Sequence, residues 1–246
     1  MRSGPVLLVI AHGSRDPRHA ATVHALVRRV RALRPGLRVE TGFLDFNVPS
    51  VRGVLESLAA EGVRDVVALP LLLTRAFHAK SDIPAVLRQA PPGLRIRQAE
   101  VLGPSPLLLA GLERRLYEAG LDPADKSSTG VVLASAGSSD PEAIAVIADI
   151  AREWRHTGWC AVRPAFASAA LPRTEDAVRE LRAAGCRRVA VAPYVLAPGR
   201  LPDRIVRGAA EADVLAGVLG PSHEVALTLL RRYDAAGLPR LSALGA

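Results

Sequence analysis

Cysteine is scarce in this sequence, which contains only Cys160 and Cys186 among its 246 residues. Neither belongs to a C-x-x-C pair, so the sequence indicates neither a disulfide framework nor a thiolate zinc site. We therefore expect both to be buried thiols. Stability must come from apolar burial instead, and a chain of this length with 49% hydrophobic residues can bury one large core or two smaller ones.

Long apolar runs are also missing. No run reaches the roughly 18 to 20 residues that cross a bilayer, because polar residues and prolines interrupt each candidate. The apolar stretch at residues 6–11 is too short for a secretory signal with a cleavage site. These features predict a cytoplasmic protein with no membrane partner.

Aromatic residues make up only 4% of the chain, and lysine occurs only at Lys80 and Lys126, so the formal charge of +8 comes almost wholly from arginine. The arginines are scattered along the sequence, and aromatic residues for base stacking are few. Both features argue against a nucleic-acid partner. A small polyanionic substrate explains the charge better.

Apolar runs of strand length alternate with longer stretches of helical period, which is typical of β-α units around a parallel sheet. Apolar residues at 23, 26, 27 and 30 mark one face of a first helix, which we expect to stop at Pro35-Gly36. A second helix is expected over about 50–61, and further helices from near Asp82 and Pro106. The predicted strands are Val6–Ala11, Leu37–Phe43, Asp65–Pro70 and Leu94–Ala99.

The same order of elements then repeats. Leu8–Pro17 resembles Val132–Pro141 at an offset of 124 residues, and Gly62–Val66 resembles Gly185–Val189 at an offset of 123. Chance is a poor explanation for several matches in the same order. The sequence therefore indicates an internal duplication.

A polar, turn-rich stretch at 122–128 separates the two copies. We predict an α/β protein of two similar three-layer α/β/α domains with parallel sheets wound as in flavodoxins, residues 1–121 and residues 129–246. We call these copies the first and second repeats. Because one chain supplies both, we expect a monomer.

The repeats differ where chemistry would be needed. His12 in the first repeat corresponds to Ala136 in the second, and His78 corresponds to Leu201. Asp45 likewise corresponds to Ser168. All three differing residues of the first repeat follow predicted parallel strands at their carboxyl ends, the edge at which open α/β sheets bind ligands. Two imidazoles and a carboxylate there would bind a divalent metal and leave coordination positions open.

Four motifs in the first repeat together resemble the class II chelatases that act on sirohydrochlorin, over nearly the whole chain. They are His12-Gly13-Ser14-Arg15-Asp16-Pro17, Phe43-Leu44-Asp45 with Pro49-Ser50, Pro70-Leu71-Leu72-Leu73 running into His78-Ala79 and Asp82-Ile83-Pro84, and Leu102-Gly103-Pro104. The resemblance implies an enzyme that inserts Co²⁺ or Fe²⁺, and less readily Ni²⁺, into sirohydrochlorin for cobalamin or sirohaem synthesis. It also implies that the flat macrocycle, with its eight carboxylate arms, lies between the domains.

The resemblance assigns metal binding and proton abstraction to His12 and His78, with Asp45 where the family commonly has glutamate. The metal is then a substrate, and no permanently bound cofactor is expected. Nothing in these ligand types selects one metal. Residues that could bind the carboxylate arms of the substrate are Ser14, Arg15, Arg75 and Lys80.

Two alternatives stay open. A metal-delivery protein could use the same histidines without a tetrapyrrole. A phosphate-binding α/β module could use the Gly13-Ser14 loop, although neither common phosphate-binding glycine motif is present. The remaining histidines are expected away from the site: His19, His24 and His156 on helix surfaces and His223 in the first turn of a helix.

Overall fold

The computed structural model describes residues 4–75 and 78–237, except for the side chains of residues 78 and 79. In it the first repeat folds into four parallel strands joined by helices. Its strand order is β2-β1-β3-β4, the start of the flavodoxin-like order. A π-helical turn, His78–Asp82, precedes α3. The elements are β1 (Val6–Ala11), α1 (Pro17–Leu33), β2 (Val39–Phe43), α2 (Val51–Ala60), β3 (Asp65–Pro70), α3 (Ile83–Arg88), β4 (Arg95–Gln98) and α4 (Pro106–Glu118).

The second repeat has the same topology, with strand order β6-β5-β7-β8. A 3₁₀ helix over Pro123–Ser128 joins the repeats. The elements are β5 (Thr129–Ser135), α5 (Pro141–Arg155), β6 (Ala161–Phe166), α6 (Thr174–Ala183), β7 (Arg188–Tyr194), α7 (Arg200–Gly208), β8 (Val214–Leu215) and α8 (His223–Gly237). The prediction of two parallel α/β/α units related by duplication is confirmed.

The sequence predicts the strands more closely than the helix ends. Residues 6–11 and 65–70 form strands over the predicted bounds. β2 begins at Val39 rather than Leu37, because its pairing with β1 starts at Leu7 and Val39. α1 begins at Pro17, before its apolar face starts, because the Asp16 carboxylate accepts a hydrogen bond from the Arg18 amide and caps the helix.

Alternate residues of each central strand pack into different cores. In β1, Val6, Leu8 and Ile10 face α2 and α3, whereas Leu7 and Val9 join a larger cluster on the other side of the sheet. That larger cluster also includes Leu133 and Trp154 of the second repeat. The two sheets therefore share one continuous apolar core between them, in addition to an outer core for each.

The last helix of each repeat packs against the other repeat. α4 contacts β7, and α8 contacts α1, β3 and β4. The two helices also contact each other, where the Arg114 guanidinium donates to both carboxylate oxygens of Glu224 at 2.9 Å. The division of the chain at 121 and 129 stays a prediction, because this exchange joins the repeats on both sides of it.

One expectation about cysteine is wrong. Cys186 is buried as predicted, but Cys160 is exposed, although their sulfur atoms lie 3.8 Å apart. Cys160 precedes β6, the edge strand of the second sheet, so no neighbouring strand covers it. Both are free thiols.

Candidate active site

His12 directly follows β1 at the carboxyl end of the first sheet, as the sequence predicts. Its backbone carbonyl accepts a hydrogen bond from the Asp45 amide at 2.9 Å, which ties the loop after β1 to the loop after β2. The imidazole Nδ1 lies 3.2 Å from the carbonyl oxygen of Gly13. The ring is partly exposed and lines the cleft between the two repeats.

Gly13 allows the two loops to approach each other. Its φ is +93°, and a Cβ atom at this position would lie 1.8 Å from the carbonyl oxygen of Asp45. The contact is completed by Asn47, whose Oδ1 accepts a hydrogen bond from the Ser14 amide at 2.8 Å. The glycine after His12 is therefore required by packing, and it fixes where the imidazole leaves the backbone.

Ser14 has a structural role in the same loop. Its hydroxyl oxygen accepts a hydrogen bond from the Asp16 amide at 3.1 Å, just before α1 begins. Ser138 accepts from Asp140 at 3.0 Å in the second repeat. This shared bond explains the serine in both copies, and a role for Ser14 in substrate binding stays a prediction.

The predicted three-residue metal site is described only in part. Asp45 is exposed, follows β2 and accepts a hydrogen bond from the Phe46 amide at 2.8 Å. The backbone of His78 lies in the π-helical turn before α3, but its side chain is outside the described part of the structure. Among the described residues no three His, Cys, Asp or Glu side chains form a metal-binding group. The set of His12, His78 and Asp45 therefore stays a prediction.

The three basic residues predicted to bind substrate have different surroundings. The Lys80 ammonium lies 2.8 Å from Asp140 and 2.7 Å from Glu142 of the second repeat, and these carboxylates raise the pKa of the lysine. Arg75 is exposed and lies 3.7 Å from Glu100. The guanidinium of Arg15 lies 5.2 Å from the centre of the Phe46 ring. The positive charge of Lys80 is thus balanced by two carboxylates of the second repeat in this conformation.

The cleft beside His12 has a volume of about 470 Å³ and walls from both repeats. The walls are mainly apolar, and the cavity size falls within the roughly 300–1,000 Å³ typical of small-molecule sites. Its lining includes Leu71, Leu72, Leu73, Ile144, Ile147, Val195, Leu196 and Leu201. The Tyr194 ring also lines the cleft, and burial raises the pKa of its hydroxyl.

His19 was expected on a helix surface, and this expectation is wrong. The residue lines the cleft together with His12, and its Nδ1 is buried without a hydrogen bond to any described residue. Burial, and to a lesser extent the charge of His12, lowers the pKa of His19, which favours the neutral imidazole at pH 7. Helical spacing contained the signal, because His19 is in phase with Val23 and Val30 on the buried face of α1.

The remaining histidines lie as expected. His24 and His156 are exposed, and His223 is exposed at the first position of α8. The cleft thus contains imidazoles from the first repeat and apolar and hydroxyl groups from the second. Neutral imidazole nitrogen is a good ligand for divalent iron, cobalt and nickel, and it can also accept a proton near neutral pH.

A family model described as CbiX matches residues 6–119 and 130–236, which includes most of both repeats. A sirohydrochlorin cobaltochelatase of Priestia megaterium is 30% identical over 206 residues, which cover 81% of this chain and 66% of that protein. A sirohydrochlorin ferrochelatase of Bacillus subtilis (strain 168) is 28% identical over 207 residues, 82% of this chain and 77% of the relative. This chain thus spans about two thirds to three quarters of these relatives.

Solved structures show the same architecture. SirB from Bacillus subtilis with Fe³⁺ superposes with a TM-score of 0.82 at 24% identity, over 95% of this chain and 96% of that chain. A CbiX structure described as the terminal enzyme of sirohaem biosynthesis in denitrifying bacteria has a TM-score of 0.67 at 20% identity, over 94% of this chain and 99% of that one. At these identities the similarity shows a shared fold.

Proposed function

Because this chain belongs to the CbiX family, we propose that it is a sirohydrochlorin chelatase, which inserts Co²⁺ or Fe²⁺, and less readily Ni²⁺, into the macrocycle. The observation that carries the proposal is the position of His12. It follows the central strand β1 and lines an apolar cleft between two repeats, and the second repeat has Ala136 at the corresponding place. The metal is a substrate, and the proposed reaction uses no resident cofactor.

In the proposed reaction, the macrocycle loses two pyrrole protons as it binds the metal. His12 and His78 would bind the incoming ion through imidazole nitrogen and accept the protons, because imidazole titrates near neutral pH. Asp45 would assist as a carboxylate ligand from the neighbouring loop. The ion must remain weakly held so that it can transfer, and a small ligand set with open positions suits this requirement.

The cleft supports a macrocyclic substrate. Its apolar walls suit the faces of a flat ring, while carboxylate arms at the ring edge could reach Arg15, Arg75 and Lys80 outside the cavity. Lys80 would have to exchange Asp140 and Glu142 for a substrate carboxylate. A monomer would suffice, because both walls come from one chain.

The proposed product would serve cobalamin or sirohaem synthesis, according to the metal inserted. A cytoplasmic location is also proposed, because free thiols such as Cys160 and Cys186 are stable in a reducing compartment. None of the described helices is both long and apolar enough to span a bilayer.

The test is an anaerobic insertion assay that follows the visible spectrum of sirohydrochlorin with Co²⁺, Fe²⁺ or Ni²⁺. We expect His12→Ala and His78→Ala each to lower the rate about 100-fold or more, because each removes a ligand and a proton acceptor. His156→Ala, which changes an exposed histidine just after α5, is the matched control and should be as active as the unmodified chain. Macrocycle binding is measured in parallel.

Near-normal rates in both site variants would contradict the assignment of the histidines. Acceleration by no metal, together with metal binding but no macrocycle binding, would instead indicate a metal-delivery protein. The relative rates would rank the three metals as substrates of the enzyme.

A further inference from the structure

Phe46 is an exposed aromatic residue whose ring lies beside His12. It lies in the loop between β2 and α2, and half of its surface is accessible, whereas Phe43 and Phe166 are almost fully buried. An exposed phenylalanine contributes nothing to the core. Singly exposed apolar residues are common on protein surfaces, and Val48 in the same loop is another, so what distinguishes Phe46 is that its ring lies beside His12.

The backbone of the loop does not explain an aromatic residue here. Phe46 has φ of +61°, and the corresponding Ala169 of the second repeat has φ of +62°. Both loops are closed by the same bond, from Asn47 to the Asp45 carbonyl and from Ala170 to the Ser168 carbonyl, each at 2.7 Å. A methyl group is therefore sufficient for this conformation, and the aromatic ring needs a different explanation.

The surroundings of the ring supply one. The Phe46 ring centre lies 6.3 Å from that of His12 with 29° between the planes, and the Arg15 guanidinium carbon lies 5.2 Å from the Phe46 ring centre. The second repeat has Ala136, Ser139 and Ala169 at the three corresponding positions. The aromatic ring and the cation thus occur only in the repeat that contains the histidine.

We propose that Phe46 and Arg15 form one binding element for the tetrapyrrole, in which Phe46 contacts the flat ring system and Arg15 binds a carboxylate arm. This inference rests on the proposed function. A flat aromatic side chain offers apolar area and a π face to a conjugated ring. A guanidinium over an aromatic ring keeps its in-plane donors available for a carboxylate, and stacking on Phe46 restricts the rotamers of Arg15 before the substrate arrives.

The test measures sirohydrochlorin affinity without metal, by anaerobic titration followed through the visible spectrum. We expect Phe46→Ala to weaken binding about tenfold, the lower part of the range for loss of one stacking side chain. Phe46→Trp should retain most of the affinity, and Phe46→Leu should be intermediate. Leu171→Ala, which truncates an exposed apolar residue of the corresponding loop in the second repeat, is the matched control and should change nothing.

The role of Arg15 is tested by removing its charge and by combining that substitution with Phe46→Ala. Arg15→Gln should weaken macrocycle binding and reduce its dependence on salt concentration, because one ion pair is lost. The double variant Phe46→Ala with Arg15→Gln should lose less affinity than the product of the two single losses, because Arg15 without its platform is already less effective. Circular dichroism and thermal melting of each variant confirm that the fold is retained.

The outcomes separate this inference from the proposed function. If the unmodified chain binds and metallates sirohydrochlorin while Phe46→Ala binds it equally well, the inference is wrong and the function stands. Loss of kcat or metal affinity in Phe46→Ala with unchanged macrocycle affinity would also overturn it, because Phe46 would then act only by positioning His12. If the unmodified chain does not bind the macrocycle, both fail.

Discussion

The two repeats share a scaffold and differ in the groups that face the cleft. Gly13 and Gly137 have φ near +90°, and a Cβ atom added at either would lie 1.8 Å or 1.9 Å from a carbonyl oxygen of the neighbouring loop. Asp16 and Asp140 cap the first helix of each repeat in the same way. These residues recur because packing and hydrogen bonding require them in any copy of this fold. Recurrence in both repeats is therefore evidence of a structural role.

Residues present in only one repeat need another explanation. His12, Arg15 and Phe46 correspond to alanine or serine in the second repeat, whose loops have the same backbone conformation. The second repeat in turn places Ser135 and Tyr194 along the cleft, where the first has Ala11 and Leu71. The duplication thus acts as an internal control, which separates residues that build the loop from residues available for chemistry.

Two ion pairs that join the repeats lie at corresponding positions, but their positive and negative partners are reversed. Lys80 of the first repeat pairs with Glu142 at the start of α5, and the corresponding Asp203 of the second repeat pairs with Arg18 at the start of α1. The positions of the two ion pairs are thus the same in both repeats, while the residue that carries the positive charge in one pair corresponds to the negative residue in the other. Only one of these two bridges places a cation where substrate carboxylates are proposed to bind.

The largest effect is expected at the glycines. Gly13→Ala and Gly137→Ala should each lower the free energy of unfolding by about 2 kcal/mol or more, because each adds a Cβ against backbone at a positive φ. Denaturant unfolding measures this. Gly62→Ala, at a positive φ but in open space, is the control and should lose less.

The same two glycine variants can also be compared by their metal-insertion rates. After correction for folded protein, we expect Gly13→Ala to lower the insertion rate, because it displaces the loop after His12, and Gly137→Ala, in the cleft wall of the second repeat, to lower the rate less. Equal loss of rate in the two variants would contradict the proposed asymmetry between the repeats.

A smaller effect is expected where the exchanged helices meet. Arg114 lowers the pKa of the half-buried Glu224 to about 2 from 4.5, so this pair stabilises the folded chain above about pH 4.5 and loses its effect as the pH falls toward 2. Glu224→Gln should cost about 1 kcal/mol at pH 7, with the difference from the unmodified chain shrinking over that pH range.

Glu118→Gln is the control for this pair, because Glu118 contacts the same arginine but is more exposed. It should have a smaller effect on unfolding. A pH-independent difference between Glu224→Gln and the unmodified chain would show that the carboxylate charge is not what joins α4 to α8.

The exchange of these two helices could not be predicted from sequence, although both helices were. The apolar positions of α4 predict a buried face, as with Leu108, Leu112 and Leu116, but periodicity does not specify which sheet covers that face. The strands were easier, because runs such as Val6–Ala11 are buried on both sides and end at polar loops. Local pattern thus predicts elements, and partner choice depends on the whole chain.

The site was predictable to a similar degree. Strand ends in a parallel sheet meet at one edge, which correctly placed His12 beside the Asp45 loop. His19 was missed because a polar residue on a helix was assigned to solvent, although its spacing placed it on the buried face. Phe46, which we propose to contact the substrate, was not singled out from the sequence, since a single exposed aromatic residue in a loop belongs to no periodic pattern.

A smaller effect on stability is expected at the two serines, Ser14 and Ser138, that accept hydrogen bonds from the capping residues Asp16 and Asp140. Ser14→Ala and Ser138→Ala each remove one partly exposed hydrogen bond to the amide before a helix, so each should cost about 0.5 kcal/mol of unfolding free energy. If Ser14 also binds substrate, Ser14→Ala should weaken sirohydrochlorin affinity more than Ser138→Ala does, although Ser138 lines the cleft. Equal affinities in both variants would restrict Ser14 to its structural role.

The smallest effect on stability is expected from the bridges across the cleft, because ion pairs at exposed positions contribute little. Lys80→Ala and Asp203→Asn should both leave the thermal melting temperature nearly unchanged. Their effects on substrate should differ: Lys80→Ala should weaken sirohydrochlorin binding, most clearly at low salt, because it removes a cation that can exchange Asp140 and Glu142 for a substrate carboxylate. Asp203→Asn removes only a carboxylate and should bind as before. Equal affinities in the two variants would show that Lys80, like Asp203, serves only to join the repeats, and that the substrate's carboxylates are bound elsewhere on the rim.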